Sequence, residues 1–339
     1  MEYVELGRTG LKVSRVGLGA WQFSEAWGAV SRETAFRIVT RALENGINFF
    51  DTAMVYGSGV SEYLLGQALR KAGARRDDIV VSTKIPGEFL NPIDIPRAVE
   101  KSLKNLGFSH VDVLLAHWPP CWSNYPVCVY ARAMERLVHL GKVSHLGLSD
   151  HPVELVEKFR ECLAKEDVEV LQVKYNLVER WAEEELIPYA ELHDMTVQAW
   201  SPIAKGALSG KYEPGKYEFR DVRRGSAIFH PDNYGRIWSV VKLLQEIGEK
   251  YGKKPVQVAL NWLIAGSPVV VPIPGARRPE QVDDLAGAVG WRLRYEDWVA
   301  IHEATRNLAV QYSINYVNID PEQRLRELEE QQQSGSGQA

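Results

Sequence analysis

Val111-Asp112-Val113-Leu114-Leu115-Ala116-His117 is almost continuously apolar and ends on an ionisable side chain. A strand with one wetted face alternates apolar and polar residues. A run that does not alternate is covered on both faces, as strands are in a parallel sheet sheathed by helices. Working outward, comparable runs recur roughly every 30 residues. Arg15–Leu18, Phe49–Ala53 and Ile79–Lys84 precede it; Val143–Ser149, Val168–Tyr175, Thr196–Pro202 and Pro268–Pro274 follow. Helical patterns fill the intervals. Ser31 is placed to cap the first, which Asn45-Gly46 closes. Others are expected over Ser61–Ala72, from Asn91-Pro92 to Leu106-Gly107, and over Val129–Leu140, Pro152–Leu163, Glu183–His193, Pro255–Ala265 and Pro279–Ala288. Eight strand–helix units over about 250 residues predict an α/β fold of the (β/α)8 TIM-barrel type. A doubly wound sheet is the alternative, and it favours a glycine-rich phosphate loop after the first strand. Gly17-Leu18-Gly19-Ala20-Trp21-Gln22 lacks the third glycine of that loop.

Three additions decorate the barrel. Tyr3–Leu6 and Leu11–Val13, joined by Gly7-Arg8-Thr9-Gly10, read as a hairpin able to plug the barrel's bottom. Gly206–Asp232 is a long polar and aromatic loop after the seventh strand, and Tyr295–Leu308 is an extra C-terminal helix. Residues 1–320 are expected to form one barrel domain and 321–339 a tail. The tail's last part, Glu329–Ala339, is rich in Gln, Ser and Gly and is expected to be disordered. The 339 residues are 45% hydrophobic and 25% charged, enough apolar material for a large core. A net charge of -4 leaves no basic excess for phosphates, so nucleic acid is not expected as a main partner. Arg75-Arg76 and Arg223-Arg224 read as solvated charges. No run approaches the ~20 apolar residues of a membrane span. Met1-Glu2-Tyr3-Val4-Glu5 has neither the basic nor the apolar region of a secretory signal. The three cysteines are odd in number and form no CxxC pair. That argues against a disulfide framework or zinc ribbon and for a reducing cytoplasm.

In a barrel, reactive groups stand at the C-terminal ends of the strands. The second run delivers Asp51, with Tyr56 five residues on; the third ends at Lys84 and the fourth at His117. Singly, each has an ordinary explanation: an Asp capping the next helix, a solvated Lys, a packing His. Together, three adjacent strands bring a carboxylate, an ammonium and an imidazole to one rim beside a phenol. A phenol has a pKa of about 10, and a neighbouring ammonium favours the phenolate and lowers that value. The carboxylate keeps the lysine charged and oriented, and the histidine can hydrogen-bond the reacting oxygen. Asp51, Tyr56, Lys84 and His117 therefore make a device for giving a proton to an alkoxide, as forms when a carbonyl carbon receives hydride.

These residues lie in stretches that resemble the aldo-keto reductase family, in its prokaryotic-type NADP-dependent branch. Asn45-Gly46-Ile47-Asn48-Phe49-Phe50-Asp51-Thr52-Ala53-Met54-Val55-Tyr56-Gly57, continued by Ser61-Glu62-Tyr63-Leu64-Leu65-Gly66, is similar to the family's first signature. Leu140-Gly141-Lys142-Val143 with Gly147-Leu148-Ser149 resembles the central one, and Val271-Pro272-Ile273-Pro274-Gly275-Ala276-Arg277-Arg278 the late one. The likeness runs from about residue 3 to 310. It implies the barrel, a nicotinamide cofactor and reversible reduction of aldehydes or ketones, with Tyr56 as proton donor.

The resemblance also implies cofactor contacts. Ser149 and Gln172 match positions that hold the nicotinamide carboxamide, and Asp150 stands where the family has Asn. Trp200 matches the aromatic that stacks on the nicotinamide ring, with Ser201, Pro202 and Ile203 following for the pyrophosphate. Gly275, Ala276, Arg277 and Gln281 match the adenosine phosphate grip. Asp284-Leu285 replaces an acid–Asn pair, so the amide contact near the adenine is lost at Leu285. A guanidinium at Arg277, with Arg278 in reserve, suits the 2′-phosphate of NADPH, so NADPH is expected, with NADH binding more weakly. Trp21, Trp118 and Trp122 are expected to border the cleft and to favour an apolar or aromatic carbonyl substrate.

Other barrel chemistries fit less well. A metal-dependent hydrolase wants two histidines at the first strand's end, and Val16-Gly17-Leu18-Gly19 offers none. A Schiff-base aldolase needs a neutral Lys84, which a nearby Asp51 opposes. A cofactor-binding, redox-sensing regulatory subunit with little turnover remains the alternative, since such proteins in this family keep the barrel.

Overall fold

The computed structural model describes residues 1–28, 30–120, 123–312, 322 and 326. Two antiparallel strands come first, β1 (Tyr3–Glu5) and β2 (Lys12–Ser14). Eight parallel strands follow: β3 (Leu18–Gly19), β4 (Phe49–Asp51), β5 (Val80–Ile85), β6 (Val111–Ala116), β7 (Val143–Ser149), β8 (Val168–Lys174), β9 (Thr196–Trp200) and β10 (Val270–Pro272). They pair in chain order from β3 to β10. The sheet closes on itself: the N–H groups of Gly17 and Gly19 donate to the carbonyls of Pro272 and Pro274 at 2.9 and 3.0 Å. A Cβ on Gly19 would lie 2.8 Å from the Ile273 carbonyl oxygen, so the seam requires glycine there. This is the (β/α)8 barrel that the recurring runs predict.

Ten helices are described: α1 (Arg32–Glu44), α2 (Val60–Lys71), α3 (Asp94–Leu106), α4 (Val127–His139), α5 (Val153–Cys162), α6 (Leu186–Leu192), α7 (Pro231–Tyr251), α8 (Pro255–Gly266), α9 (Pro279–Ala286) and α10 (Tyr295–Thr305). Ser31 does cap α1, its hydroxyl accepting the Thr34 N–H at 3.1 Å. In α3, Ile95, Ala98, Val99, Ser102, Leu103 and Leu106 are buried, a spacing of three and four that makes one apolar stripe. The longest of these helices, α7, is absent from the sequence expectation, which ends a loop at Asp232 and resumes at Pro255. Its buried Ile237, Val240, Val241, Leu244 and Ile247 have helical spacing. Gly235 and Gly248 interrupt it and weaken its intrinsic propensity. Gly248 is there because a Cβ would meet the Lys253 carbonyl at 2.3 Å.

One large apolar cluster lies between sheet and helices, including Ile38, Leu65, Val99, Leu114, Val197 and Leu260. A smaller cluster fills the barrel: Phe49, Val80, Val113, Leu115, Val170, Val271 and Ile273, joined by Leu6 and Val13 from the hairpin. Gly7 donates its N–H to Thr196 Oγ1 and Ser14 donates its own to Asn48 Oδ1, both at 2.7 Å. Those acceptors stand at or just before the starts of strands, so the hairpin seals the N-terminal end. Burial of Leu6 and Val13 contributes about 1.5–3 kcal/mol each to that seal. The C-terminal end stays open.

Three expectations need correction. Cys128 of α4 and Cys162 of α5 form a disulfide, with Cα atoms 4.9 Å apart. The odd count concealed a pair, because the packing of α4 beside α5 joins residues 34 apart in sequence. Arg223 is buried: it binds Asp221 at 2.5 Å and its guanidinium lies 4.3 Å from the centre of the Phe219 ring. Arg76 is also engaged, at 2.7 Å from Asp112. Their neighbours Arg75 and Arg224 are exposed as expected. Among the described residues no helix is long and apolar enough to cross a membrane, and no cluster of His, Cys, Asp and Glu could hold a metal ion. The tail's expected disorder, the boundary at 320 and 321, and Trp122 lie outside the described residues.

Candidate active site

Along β4, Phe49 packs into the barrel interior and Phe50 into the outer layer. The two-residue alternation of a strand therefore turns Asp51 inward again. Its carboxylate accepts from Lys84 Nζ at 2.6 Å, Ser82 Oγ at 2.8 Å and Gln172 Nε2 at 2.9 Å. Lys84, fully buried, also donates to the Thr52 carbonyl at 2.7 Å and to the Tyr56 hydroxyl at 3.3 Å. Gln172 donates in addition to Gln198, and Gln198 to Ser82 at 3.5 Å. Sequence reading missed Ser82 and Gln198. Each is a polar residue inside an apolar run, the signal that could have marked them.

Tyr56 opens a tight turn after β4, Tyr56–Gly59. Gly57 has φ of +60° there, and a Cβ on it would lie 2.7 Å from Glu25 Oε2. The turn carries the phenol back over Lys84. The Tyr56 ring centre is 5.9 Å from that of Trp21 and 5.6 Å from that of His117, and His117 is 4.2 Å from Trp118. The four residues picked from three strand ends and one loop thus converge on one point.

Burial shapes their electrostatics. It pushes the Tyr56 phenol up, and the opposing pull of the Lys84 ammonium does not cancel it. The lowered phenol expected from the sequence is therefore not what the site holds; the cost of a buried phenolate outweighs one ammonium. Burial also disfavours the charged form of Lys84, but the Asp51 carboxylate and Tyr56 more than offset it, so its pKa is raised. His117 is pushed well below the usual histidine range, first by burial and then by Lys84, and is neutral at neutral pH. Its Nδ1 is buried with no hydrogen-bond partner among the described residues.

A cavity of about 450 Å³ opens over this group at the C-terminal end of the barrel. Trp21, Asp51, Tyr56, His117 and Trp118 line one part of it, and Ser149, Asp150, Gln172 and Trp200 another. Ser201, Pro202, Ile203, Gly275, Arg277 and Gln281 line a third. The Ser149 hydroxyl is buried with no partner among the described residues. Asp150, at φ of +51°, accepts from Trp200 Nε1 at 3.1 Å. Gln281 Oε1 accepts the backbone N–H groups of Arg277 and Arg278 at 2.8 and 3.0 Å. Arg277 reaches Asp221 at 3.5 Å. Ala276 and Asp284 do not line the cavity. Ala276 is buried in the core, and Asp284 binds Lys254 at 2.7 Å. Leu285 is buried in the core as well. Sequence reading also missed Trp27, Tyr212 and Arg223 on the cavity wall. The loop after β9 brings the last two there, anchored by the Val222 N–H on the Ala26 carbonyl at 3.0 Å. No local pattern announces such a contact.

Comparison with known proteins agrees with this fold. The sequence profile of the aldo/keto reductase family matches residues 15–306. Aldo-keto reductase YhdN of Bacillus subtilis is 31% identical, over 91% of this chain and 94% of its own length. An NADH-specific methylglyoxal reductase of Escherichia coli is 28% identical, over 91% and 99%. The structure of a glycerol dehydrogenase from Gluconobacter oxydans superposes with a TM-score of 0.81 at 29% identity, covering 94% of this chain and 98% of that one. An aldo/keto reductase of Klebsiella pneumoniae, solved with NADP and acetate, gives 0.71 at 26% identity, covering 91% and 96%. The chain belongs to the aldo/keto reductase family, whose members act on small-molecule carbonyls with nicotinamide cofactors.

Proposed function

We propose that this protein catalyses the reversible, NADPH-dependent reduction of an aldehyde or ketone to an alcohol, with Tyr56 as proton donor. The observation that carries the reading is the contact of the buried Lys84 ammonium with both Asp51 and the Tyr56 hydroxyl. Because the phenol oxygen accepts from Lys84, its own hydrogen is left to point at a substrate carbonyl. A bound reduced nicotinamide supplies the hydride. As the carbonyl oxygen gains charge, Tyr56 gives it a proton, and Lys84 stabilises the phenolate left behind. Asp51 keeps Lys84 charged and aimed. Neutral His117 donates a hydrogen bond that orients the carbonyl.

The donor set suits the cofactor. The Ser149 hydroxyl, without a partner among the described residues, would hold the carboxamide with Asp150 and Gln172, and Trp200 would stack on the ring. Ser201, Pro202 and Ile203 would flank the pyrophosphate, while Gly275, Arg277 and Gln281 would hold the adenosine end. Arg277 favours NADPH, with NADH bound more weakly; the NADP complex of the Klebsiella relative supports this, and the NADH-specific Escherichia relative opposes it. Trp21 and Trp118 favour an apolar or aromatic carbonyl. Consumption of NADPH in the presence of a panel of aldehydes tests the reaction. No turnover with any of them would leave the regulatory alternative. A higher kcat/KM for glyceraldehyde than for benzaldehyde would overturn the substrate class.

A further inference from the structure

The carboxylates that line the cavity are Asp51 and Asp150. Asp51 is neutralised by Lys84 at 2.6 Å. Asp150 has no ion pair within 4.0 Å among the described residues; its side chain takes the Trp200 indole N–H at 3.1 Å. The positive φ at Asp150 explains why this residue type is tolerated there, since Asp and Asn enter that region more readily than other side chains. The φ does not explain why the residue is charged.

We propose that Asp150 places an uncompensated negative charge beside the nicotinamide site, so that this enzyme binds the oxidised cofactor more tightly, relative to the reduced one, than a neutral side chain would allow. The inference rests on the nicotinamide reading above. Oxidised nicotinamide carries a ring cation and reduced nicotinamide does not. A carboxylate on the cavity wall therefore discriminates between them, while both present the same carboxamide to Ser149 and Gln172.

The surrounding charges leave this effect standing: Arg223 and Arg277, which also line the cavity, pair with Asp221 at 2.5 and 3.5 Å. Lys174, whose ammonium acts on Asp150, is bound by Glu179 at 3.1 Å. Lys84, the next cation, is held by Asp51. Tyr56 is protonated, because burial pushes its phenol up. His117 and His151 are neutral, both driven down by burial. Lys205 also lines the cavity; burial lowers its pKa, and Glu179 and Asp221 act on it from outside. Asp150 is itself exposed to solvent on the cavity wall; the protein packed around it still pushes its carboxyl up to about 6, with the Trp200 indole and Lys174 pulling the other way. The charge is therefore present above pH 6 and lost below it.

The test is the ratio of Kd for NADPH to Kd for NADP⁺, measured by fluorescence titration at pH 5 and pH 8. The parent and Asp150→Asn, which is nearly isosteric, are compared. In the parent the ratio should rise about fivefold from pH 5 to pH 8, the part of a tenfold limit that falls in this window when one pKa unit of linkage lowers the carboxyl from about 6 to about 5 in the NADP⁺ complex. In Asp150→Asn it should stay flat and equal the parent's acid value. The parent's own pH dependence keeps the test decisive if the variant fails to fold. A flat ratio in the parent, or equal ratios for parent and variant at pH 8, overturns the proposal while leaving the nicotinamide reading intact. Failure of the parent to bind either nucleotide overturns both.

Discussion

Replacing Tyr56 by Phe removes one oxygen and leaves the ring in place between Trp21 and His117. Among the described residues the hydroxyl receives a single hydrogen bond, from Lys84 at 3.3 Å. After its loss Lys84 still donates to Asp51 at 2.6 Å and to Thr52 at 2.7 Å, so the buried ammonium keeps two strong acceptors. The stability cost should therefore sit near that of one ordinary hydrogen bond, about 1 kcal/mol. The catalytic cost should be far larger. General acid catalysis contributes ~10²–10⁴-fold, equivalent to about 2.7–5.4 kcal/mol of transition-state free energy. The two readouts separate cleanly: thermal denaturation should move by a few degrees while kcat falls by orders of magnitude. Cofactor affinity, measured by fluorescence titration, should hardly change, since the proposed role of the hydroxyl is toward the substrate carbonyl and not the cofactor. Carbonyl reduction within threefold of the parent, in a folded variant that binds cofactor, would refute Tyr56 as the donor. A fall in activity matched by an equal loss of cofactor affinity would refute it too.

Lys84→Met should abolish most turnover and move the alkaline limb of the oxidation reaction to higher pH, since the phenolate loses the ammonium that opposes its burial. It also strands the Asp51 carboxylate, at a cost of about 3–5 kcal/mol; the double change Asp51→Asn with Lys84→Met should recover stability but not activity, and recovery of both would exclude the proposed relay. Arg277→Ala should weaken NADPH by about one to two decades, the worth of a charge-assisted hydrogen bond, and spare NADH. Equal losses for the two cofactors would rule out phosphate recognition there. Reduction of Cys128–Cys162 should destabilise the fold by about 3–4 kcal/mol, as expected for closing a loop of this size. Thiol titration of the denatured chain before and after reduction should show two additional thiols, and unchanged counts would show that the bridge does not form in solution.

What the sequence by itself determined was the repeating unit and its contents. Runs such as Val111–Ala116, apolar on both faces, admit few arrangements once helices separate them, and eight in succession close a barrel. The same regularity placed Asp51, Lys84 and His117 at strand ends, where a barrel collects its reactive groups. Strand and helix periodicity are local properties, and local properties survive in a one-dimensional reading. The tertiary structure decided what depends on separate segments meeting. The network through Ser82 and Gln198, the burial of Arg223 against Phe219, and the pairing of Cys128 with Cys162 all join residues that share no local pattern. So did the sign of the Tyr56 shift: the sequence supplied a lysine to lower it, and only packing supplied the desolvation that wins. Whether Asp150 and Asp284 share a site was likewise invisible. The family resemblance implies a cofactor contact for both, yet one lines the cavity and the other turns away to Lys254. Electrostatic energy depends on distance and dielectric, and folding sets both.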